Sequence, residues 1–237
     1  MDVTALLDAY SFMLALDHDA KNRVYALRHG VYCRELGFEP VDVARGIEKD
    51  AFDESAIHCL VAHRASDTDV GCARLVLPSS DCRSPLYRLP IETRYGEALE
   101  SPSQSPDCFA RNEICEISRV AIIGAYRSRK KGGDVGETAP LALNPRLRMG
   151  IFLSILAMGR LTGRRHGFAL MEPSLPRLLA FAGFRFDRIS RDIHFNGRRA
   201  IYYADWQHAT DALSGNFNHM YRAVLEGFEH QLAAIGR

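Results

Sequence analysis

Charged side chains interrupt two of the most apolar stretches of this 237-residue chain, and that constrains its fold more than any other feature. Arg74 sits inside the run 70–77, and Glu116 and Arg119 sit inside the run 113–123. A charge carried into a sheet interior must meet an opposite charge there, because desolvation without a partner is costly. The candidates are Arg28 on a helix-like segment and Glu48, Asp50 and Asp53 in an acidic turn. One helix, one acidic turn and two strands are therefore expected to converge on a polar site inside an apolar fold.

Periodicity places these residues on elements. Residues 10–15 read as a strand that precedes an Asp-capped helix. In that helix Val24, Leu27 and Val31 form the buried stripe, Arg28, Tyr32 and Glu35 fall on an adjacent flank, and Gly37 ends it. Residues 39–55 read as a loop that orders around ligand. Residues 57–63 and 70–77 are two strands of a hairpin, apolar on both faces and so central. Residues 78–111 read as surface loops with one short helix. A strand at 113–123 follows, then a basic, glycine-ended segment at 127–133 and a helix at 146–164 that packs on the sheet. A short strand at 168–171, a helix opened by Pro173 and stopped by Gly183, and a hairpin turning at Asn196–Gly197 complete the sheet. One or two amphipathic helices close the chain from Trp206. This order describes a mixed sheet with helices on both faces, and the acetyltransferase-like sheet is one fold that has it.

Composition narrows the function. A net charge of +1 argues against bulk capture of nucleic acid or membrane. The cysteines Cys33, Cys59, Cys72, Cys82, Cys108 and Cys115 show no CxxC spacing and several lie in apolar runs, as expected in a reducing compartment. Asp2, Asp8, Asp17 and Asp19 do not fit a secretory leader, and the apolar run 149–158 is too short for a bilayer. The expectation is a cytoplasmic protein with no transmembrane segment and no nucleic-acid partner.

The order Arg28, Tyr32, Phe38, then Glu48, Asp50 and Asp53, then Arg74, then Glu116–Ile117–Ser118–Arg119 resembles the signature of the acyl-homoserine-lactone (autoinducer) synthases. The first three positions in that family are usually Arg, Phe and Trp, so Tyr32 and Phe38 are aromatic replacements. The chain also resembles the N-acyl amino acid synthases and the acyltransferases associated with PEP-CTERM/exosortase systems. That second resemblance rests on Gly37–Phe38–Glu39–Pro40, Phe52–Asp53–Glu54–Ser55 with His58, Arg74–Leu75–Val76–Leu77–Pro78, Met171–Glu172–Pro173–Ser174–Leu175 and Asn196–Gly197–Arg198–Arg199–Ala200.

These resemblances imply an α/β (α+β) acetyltransferase-like (GNAT) fold with a mixed, mostly antiparallel sheet flanked by helices. They imply a single acyltransferase domain over 1–237, with 10–123 autoinducer-synthase-like, 124–205 carrying the second half of the sheet and 206–237 helical. The activity implied is transfer of a fatty acyl group from an acyl carrier protein thioester to the α-amine of an amino acid or related amine. The alternatives are a lactone synthase that uses S-adenosylmethionine and a non-catalytic acyl-binding regulator. No permanently bound cofactor or metal is expected; an acyl-phosphopantetheine thioester, on carrier protein or coenzyme A, is the co-substrate.

The chemistry assigns roles. An amine attacking a thioester must lose a proton, and the resulting oxyanion needs donors. Glu116 is the candidate base, because burial on a strand raises a carboxyl pKa, and its alternative role is to neutralise Arg119 or Arg74. Glu116, Arg119 and Arg74 form the catalytic group. Arg28, Tyr32, Phe38, Asp50, Asp53 and Ser118 form the substrate-binding group. Arg127, Arg129, Lys130 and Lys131 suit a carrier protein or its pantetheine arm. His58 and His194 read as core or pocket-lining residues, Met149, Phe152, Leu153 and Leu156 as candidates to line an acyl tunnel, and Glu172 as a capping or catalytic carboxylate.

Overall fold

The computed structural model describes residues 3–127, 144–180, 183–213 and 215–235. Helix α1 (Val3–Ala9) runs into β1 (Tyr10–Leu14). Asp17 caps α2 (His18–Arg28) by accepting from the Ala20 N–H at 2.7 Å. The helix widens into a π-turn over His29–Glu35, where the Leu36 N–H reaches back to the Val31 carbonyl, and Gly37 at φ +64° ends it. There follow a 3-10 turn at Ala51–Ser55, β2 (Ala56–His63), β3 (Thr68–Val76), α3 (Pro90–Tyr95), β4 (Ile114–Ile122) and α4 (Gly124–Arg127). Next come α5 (Asn144–Leu161), β5 (His166–Met171), α6 (Ser174–Ala180), β6 (Asp187–Arg188), β7 (Ile193–His194), β8 (Arg198–Asp205), α7 (Trp206–Asp211) and α8 (Gly215–Ile235).

The sheet order is β1-β2-β3-β4-β5-β8-β6, with β7 also on β8. The described pairs are antiparallel except β4 with β5, which run parallel. The mixed, mostly antiparallel sheet expected from sequence is present. Strand β6 is an addition, since two residues carry no readable alternation.

Alternation along the strands sorts the side chains into two layers. Cys59, Val61, Ala73, Leu75, Cys115, Ile117, Ala169, Met171, Ala200 and Tyr202 pack with α5, α7 and α8 in the main core. The approach there is close: a Cβ on Gly167 would lie 2.1 Å from the Trp206 ring, whose Nε1–H donates to Cys115 Sγ at 3.2 Å. On the opposite face, Leu60 and Cys72 pack with Val24, Tyr25, Leu27 and Val31 of the α2 segment. Farther along that face, Val76, Ile114, Phe168 and Ile201 pack with Leu89 and Ile91 at α3. His58, Arg74, Glu116 and Ser118 have the parity of this second face and lie between its two apolar clusters.

Two departures from regular geometry open the sheet. Strands β4 and β5 pair only from Ile114↔His166 to Ile117↔Ala169, so they part beyond Ile117. On its other edge β4 carries a bulge: Arg74 pairs with Ser118 but Cys72 with Ala121, so three steps on β4 match two on β3. Arg119, at φ +50°, sits in that bulge.

Candidate active site

The arginines and acids converge. Arg28 donates from Nε to Glu48 Oε2 at 2.5 Å, and from Nη1 and Nη2 to Asp53 at 2.6 and 3.1 Å. Arg74 donates from Nη1 to Asp50 at 2.6 Å and Asp53 at 2.9 Å, from Nη2 to Asp50 at 3.1 Å, and from Nε to Ser118 Oγ at 2.9 Å. Arg119 donates from Nη2 to Glu39 at 3.0 Å and from Nε to Glu48 at 3.2 Å, and its Nη2 lies 3.4 Å from Asp50. The bulge turns Arg119 out of strand alternation and into this network. The acidic residues are themselves held in place: Asp53 accepts from the Asp50 N–H at 2.8 Å, Asp50 accepts from the Phe52 N–H at 2.9 Å, and the Glu48 N–H donates to the Tyr25 carbonyl.

This network holds the acidic segment and accounts for one difference from the sequence expectation. The protein's own arginines hold the 39–55 segment through Glu39, Glu48, Asp50 and Asp53. By lying over α2, that segment encloses the flank on which Arg28 sits, so that Arg28 is 0% exposed. The ion pairs set the charge states. Burial pushes the Asp50 and Asp53 carboxyls up, but hydrogen bonds from Arg74 to Asp50 and from Arg28 to Asp53, with the neighbouring positive charges, hold both below the usual carboxylate range. Burial pushes His58 down to about 3 against the Asp53 charge, so its ring is neutral 3.6 Å from that carboxylate.

Beside the network is a cavity of about 710 Å³, within the range of roughly 300–1,000 Å³ usual for small-molecule sites. It lies where β4 and β5 part, and its wall draws on both sides of the sheet, from Tyr32 and Asp50 to Phe152 on α5. Tyr32, Phe38, Asp50, Arg74, Glu116, Ser118, Arg119 and Arg127 line it. Arg28 and Asp53, expected to bind substrate, do not; they lie beneath the wall, where they neutralise one another. Of the four α5 residues considered for an acyl tunnel, Phe152 lines the cavity, while Met149, Leu153 and Leu156 are in the core. Leu36, Leu175 and Leu178 continue its apolar side.

Glu116 is the distinctive group. It is 3% exposed and accepts from the Ile91 N–H on α3 at 2.9 Å. It forms no ion pair among the described residues, and the guanidiniums of Arg74 and Arg119 are engaged by other carboxylates. The alternative role of neutralising those arginines is therefore not what the structure places there. Burial pushes its carboxyl up to about 8, against the Ile91 hydrogen bond and the Arg74 charge.

The remaining expected residues divide plainly. The Tyr32 hydroxyl donates to the Val120 carbonyl at 2.8 Å and its ring lies 5.7 Å below the Arg119 guanidinium. Arg127 pairs with Glu35, whereas Arg129, Lys130 and Lys131 lie outside the described residues. His194 is exposed on β7 rather than lining the pocket, and Glu172 is an exposed carboxylate 3.5 Å from Arg199. Among the described residues no group of His, Cys, Asp and Glu side chains forms a metal ligand set, and no helix is long and apolar enough to cross a membrane.

Sequence reading missed Ile91, Arg94 and Tyr95 of α3 and Phe195 of the last hairpin, and gave no site role to Asn196 and Arg199 although both fall in a motif it singled out; all of them line the cavity. A signal for α3 was present in Leu89–Pro90–Ile91–Glu92, a proline-started turn in which the Glu92 carboxylate accepts from the Leu89 N–H at 2.7 Å. Glu92 is buried and receives Arg111 Nη1 at 2.7 Å, which fixes α3 and with it the donor to Glu116.

Residues 27–132 match the acetyltransferase (GNAT) domain family. Among solved structures, the chain is similar to the acyl-homoserine-lactone synthase LasI, with 15% identity over 87% of this chain and 94% of that one and a TM-score of 0.60. It is similar to the coenzyme A-dependent lactone synthase BjaI, solved with SAM and isopentyl-CoA, with 16% identity over 92% and 90% and a TM-score of 0.62. It is also similar to FeeM, an N-acyl amino acid synthase from uncultured soil microbes, with 12% identity over 86% and 94% and a TM-score of 0.52. No curated protein matches it by sequence. These neighbours show an acetyltransferase-like fold, and the match of residues 27–132 to an acetyltransferase domain supports an acyltransferase.

Proposed function

We propose that this chain is an N-acyltransferase that moves a fatty acyl group from an acyl carrier protein thioester to the α-amine of an amino acid. The observation that carries the reading is Glu116: a buried carboxyl, held by one main-chain N–H and pushed up to about 8, lining a cavity at the parting of two parallel strands. Such a group exchanges its proton close to neutral pH and acts as a base in its ionised fraction, which grows as pH rises toward 8.

In the reaction proposed, the acceptor nitrogen attacks the thioester carbonyl carbon, the C–S bond breaks, and the pantetheine thiol leaves. Glu116 takes the proton that the nitrogen loses, directly or through a water, and returns it to the departing sulfur. The edge of β4 beyond Ile117 has main-chain groups with no β5 partner, and these suit an amide-bearing pantetheine arm. Ser118 Oγ already accepts from Arg74, so its own hydrogen is available for the oxyanion. Arg74 and Arg119 act as positioning residues, because carboxylates of the protein engage their guanidiniums. Tyr32, Phe38 and Asp50 shape the acceptor side of the cavity, and Arg28 and Asp53 support it from beneath.

Direct transfer fits the cysteines. Cys59, Cys72 and Cys115 are buried thiols pushed up to about 12, so none supplies a thiolate nucleophile. Unpaired cysteines also suit the cytoplasm, and the resemblance to the PEP-CTERM/exosortase-associated acyltransferases supports a reading within that group. A second reading, lactone synthesis from S-adenosylmethionine, draws on the likeness to LasI and BjaI.

The deciding experiment supplies acyl carrier protein and coenzyme A thioesters with either a panel of amino acids or S-adenosylmethionine. N-acyl amino acid formation is expected, and lactone release without any N-acyl amino acid would transfer the assignment to the second reading. Binding of acyl carrier thioester with no product from any amine would leave an acyl-binding regulator.

A further inference from the structure

Of the cavity-lining arginines that the proposed chemistry has not used, Arg94, Arg148 and Arg199, the pair Arg94 and Arg199 lies on α3 and β8, the elements beside Tyr95 and Phe195. Arg94 lies on α3, one turn after the Ile91 N–H that holds Glu116. It lines the cavity and has no carboxylate partner among the described residues. Arg199 lines it from β8. Alternation puts Ala200 and Tyr202 in the main core and Ile201 and Tyr203 in the α3 cluster, so Arg199 belongs to the same sheet face as Glu116. Its Nε–H donates to the Phe195 carbonyl at 2.7 Å and its Nη2 to the Asn196 carbonyl at 3.3 Å, which fixes the guanidinium plane. Its nearest carboxylate is Glu172, 3.5 Å away and 57% exposed.

Tyr95 and Phe195 stand between these cations, with ring centroids 6.0 Å apart. The Tyr95 hydroxyl registers both cations: burial raises its pKa and the nearby Arg94 and Arg199 charges lower it. Cations on the sheet face that carries Glu116 match a substrate whose carboxylate lies close to its amine. Arg94 has no carboxylate partner among the described residues, and the planar guanidinium forks of Arg94 and Arg199 match a carboxylate in paired hydrogen bonds.

We infer that Arg94 and Arg199 form a carboxylate subsite, so that the acceptor is a molecule bearing a carboxylate close to the amine presented to Glu116. The inference rests on the N-acyl transfer reading and adds to it the residues that recognise the acceptor. It predicts that amino acids are acylated in preference to the corresponding amino acid amides.

The test compares kcat/KM for a panel of amino acids and their amides in the wild type, Arg94→Ala and Arg199→Lys. Loss of a charge-assisted contact corresponds to roughly 10- to 100-fold, so the acid-to-amide ratio is expected to fall by about that factor in Arg94→Ala. Arg199→Lys keeps the charge but not the fork, and should reduce the ratio less. A wild-type ratio near one, or a ratio unchanged in Arg94→Ala, overturns the subsite while leaving acyl transfer standing. Calorimetry with N-octanoylglycine and N-octanoylglycinamide gives a readout independent of turnover. Tighter binding of the acid, lost in Arg94→Ala, is expected. Equal binding of the two by the wild type overturns the inference, even if no amine is acylated.

Discussion

Replacing Glu116 by Gln tests the proposed base in two independent ways. With the carboxyl pushed up to about 8, roughly one molecule in ten is ionised at pH 7 and roughly nine in ten at pH 9. The chemical step should therefore rise about tenfold between those values in the wild type. The acceptor ammonium can titrate in the same range, so the limb belonging to Glu116 is the difference between the wild-type and Glu116→Gln profiles. Gln keeps the shape and can still accept from the Ile91 N–H, but cannot take a proton; a loss of about 10²- to 10⁴-fold in rate is expected. Single-turnover measurement of thiol release separates this from product release. Stability supplies the second test. A carboxyl raised from 4.5 to about 8 on folding contributes stability that is full below about pH 4.5 and lost as pH rises to about 8. The loss is on the order of 5 kcal/mol as an upper bound. Urea unfolding should therefore find Glu116→Gln more stable than the wild type at pH 9, with the gap narrowing toward pH 5. Superimposable pH–rate profiles, or a variant equally destabilised at both pH values, would refute the idea that Glu116 is a buried base.

Three further outcomes follow from the packing. Asp53→Asn removes the carboxylate shared by buried Arg28 and Arg74, and should cost roughly 3–5 kcal/mol in urea unfolding at pH 7, with the gap shrinking as pH falls below about 4, where the unfolded-state carboxyl binds a proton that the folded one, held lower by Arg28 and Arg74, does not. Phe152→Ala deepens the cavity on the α5 side; the preferred acyl thioester should lengthen, as read by kcat/KM across a chain-length series, with about 3–5 kcal/mol lost in stability. Gly167→Ala drives a Cβ to 2.1 Å from Trp206, so the indole must shift from Cys115, lowering Tm and altering Trp fluorescence.

The strands around the site were legible because long apolar runs with charges at 74, 116 and 119 admit few arrangements. The convergence of Arg28, Arg74 and Arg119 on Glu48, Asp50 and Asp53 followed from the cost of leaving such charges unpaired. What escaped was the depth of each residue. Helical spacing put Arg28 on a flank, and nothing local said that the 39–55 segment would cover it. Strand alternation would send Arg119 toward α5, and only the bulge with its positive φ turns it into the site. Helix α3 was obscured because it is one short turn-rich element, fixed by a buried Glu92–Arg111 pair far apart in sequence. The cavity itself depends on where β4 and β5 stop pairing, a property of two strands together that neither sequence segment carries alone.

Mass spectrometry of lipid extracts from cells that express the wild type or Glu116→Gln tests the central claim most directly. The account predicts an N-acyl amino acid present with the wild type and absent or greatly reduced with the variant. The same N-acyl species at equal abundance with both proteins would contradict it.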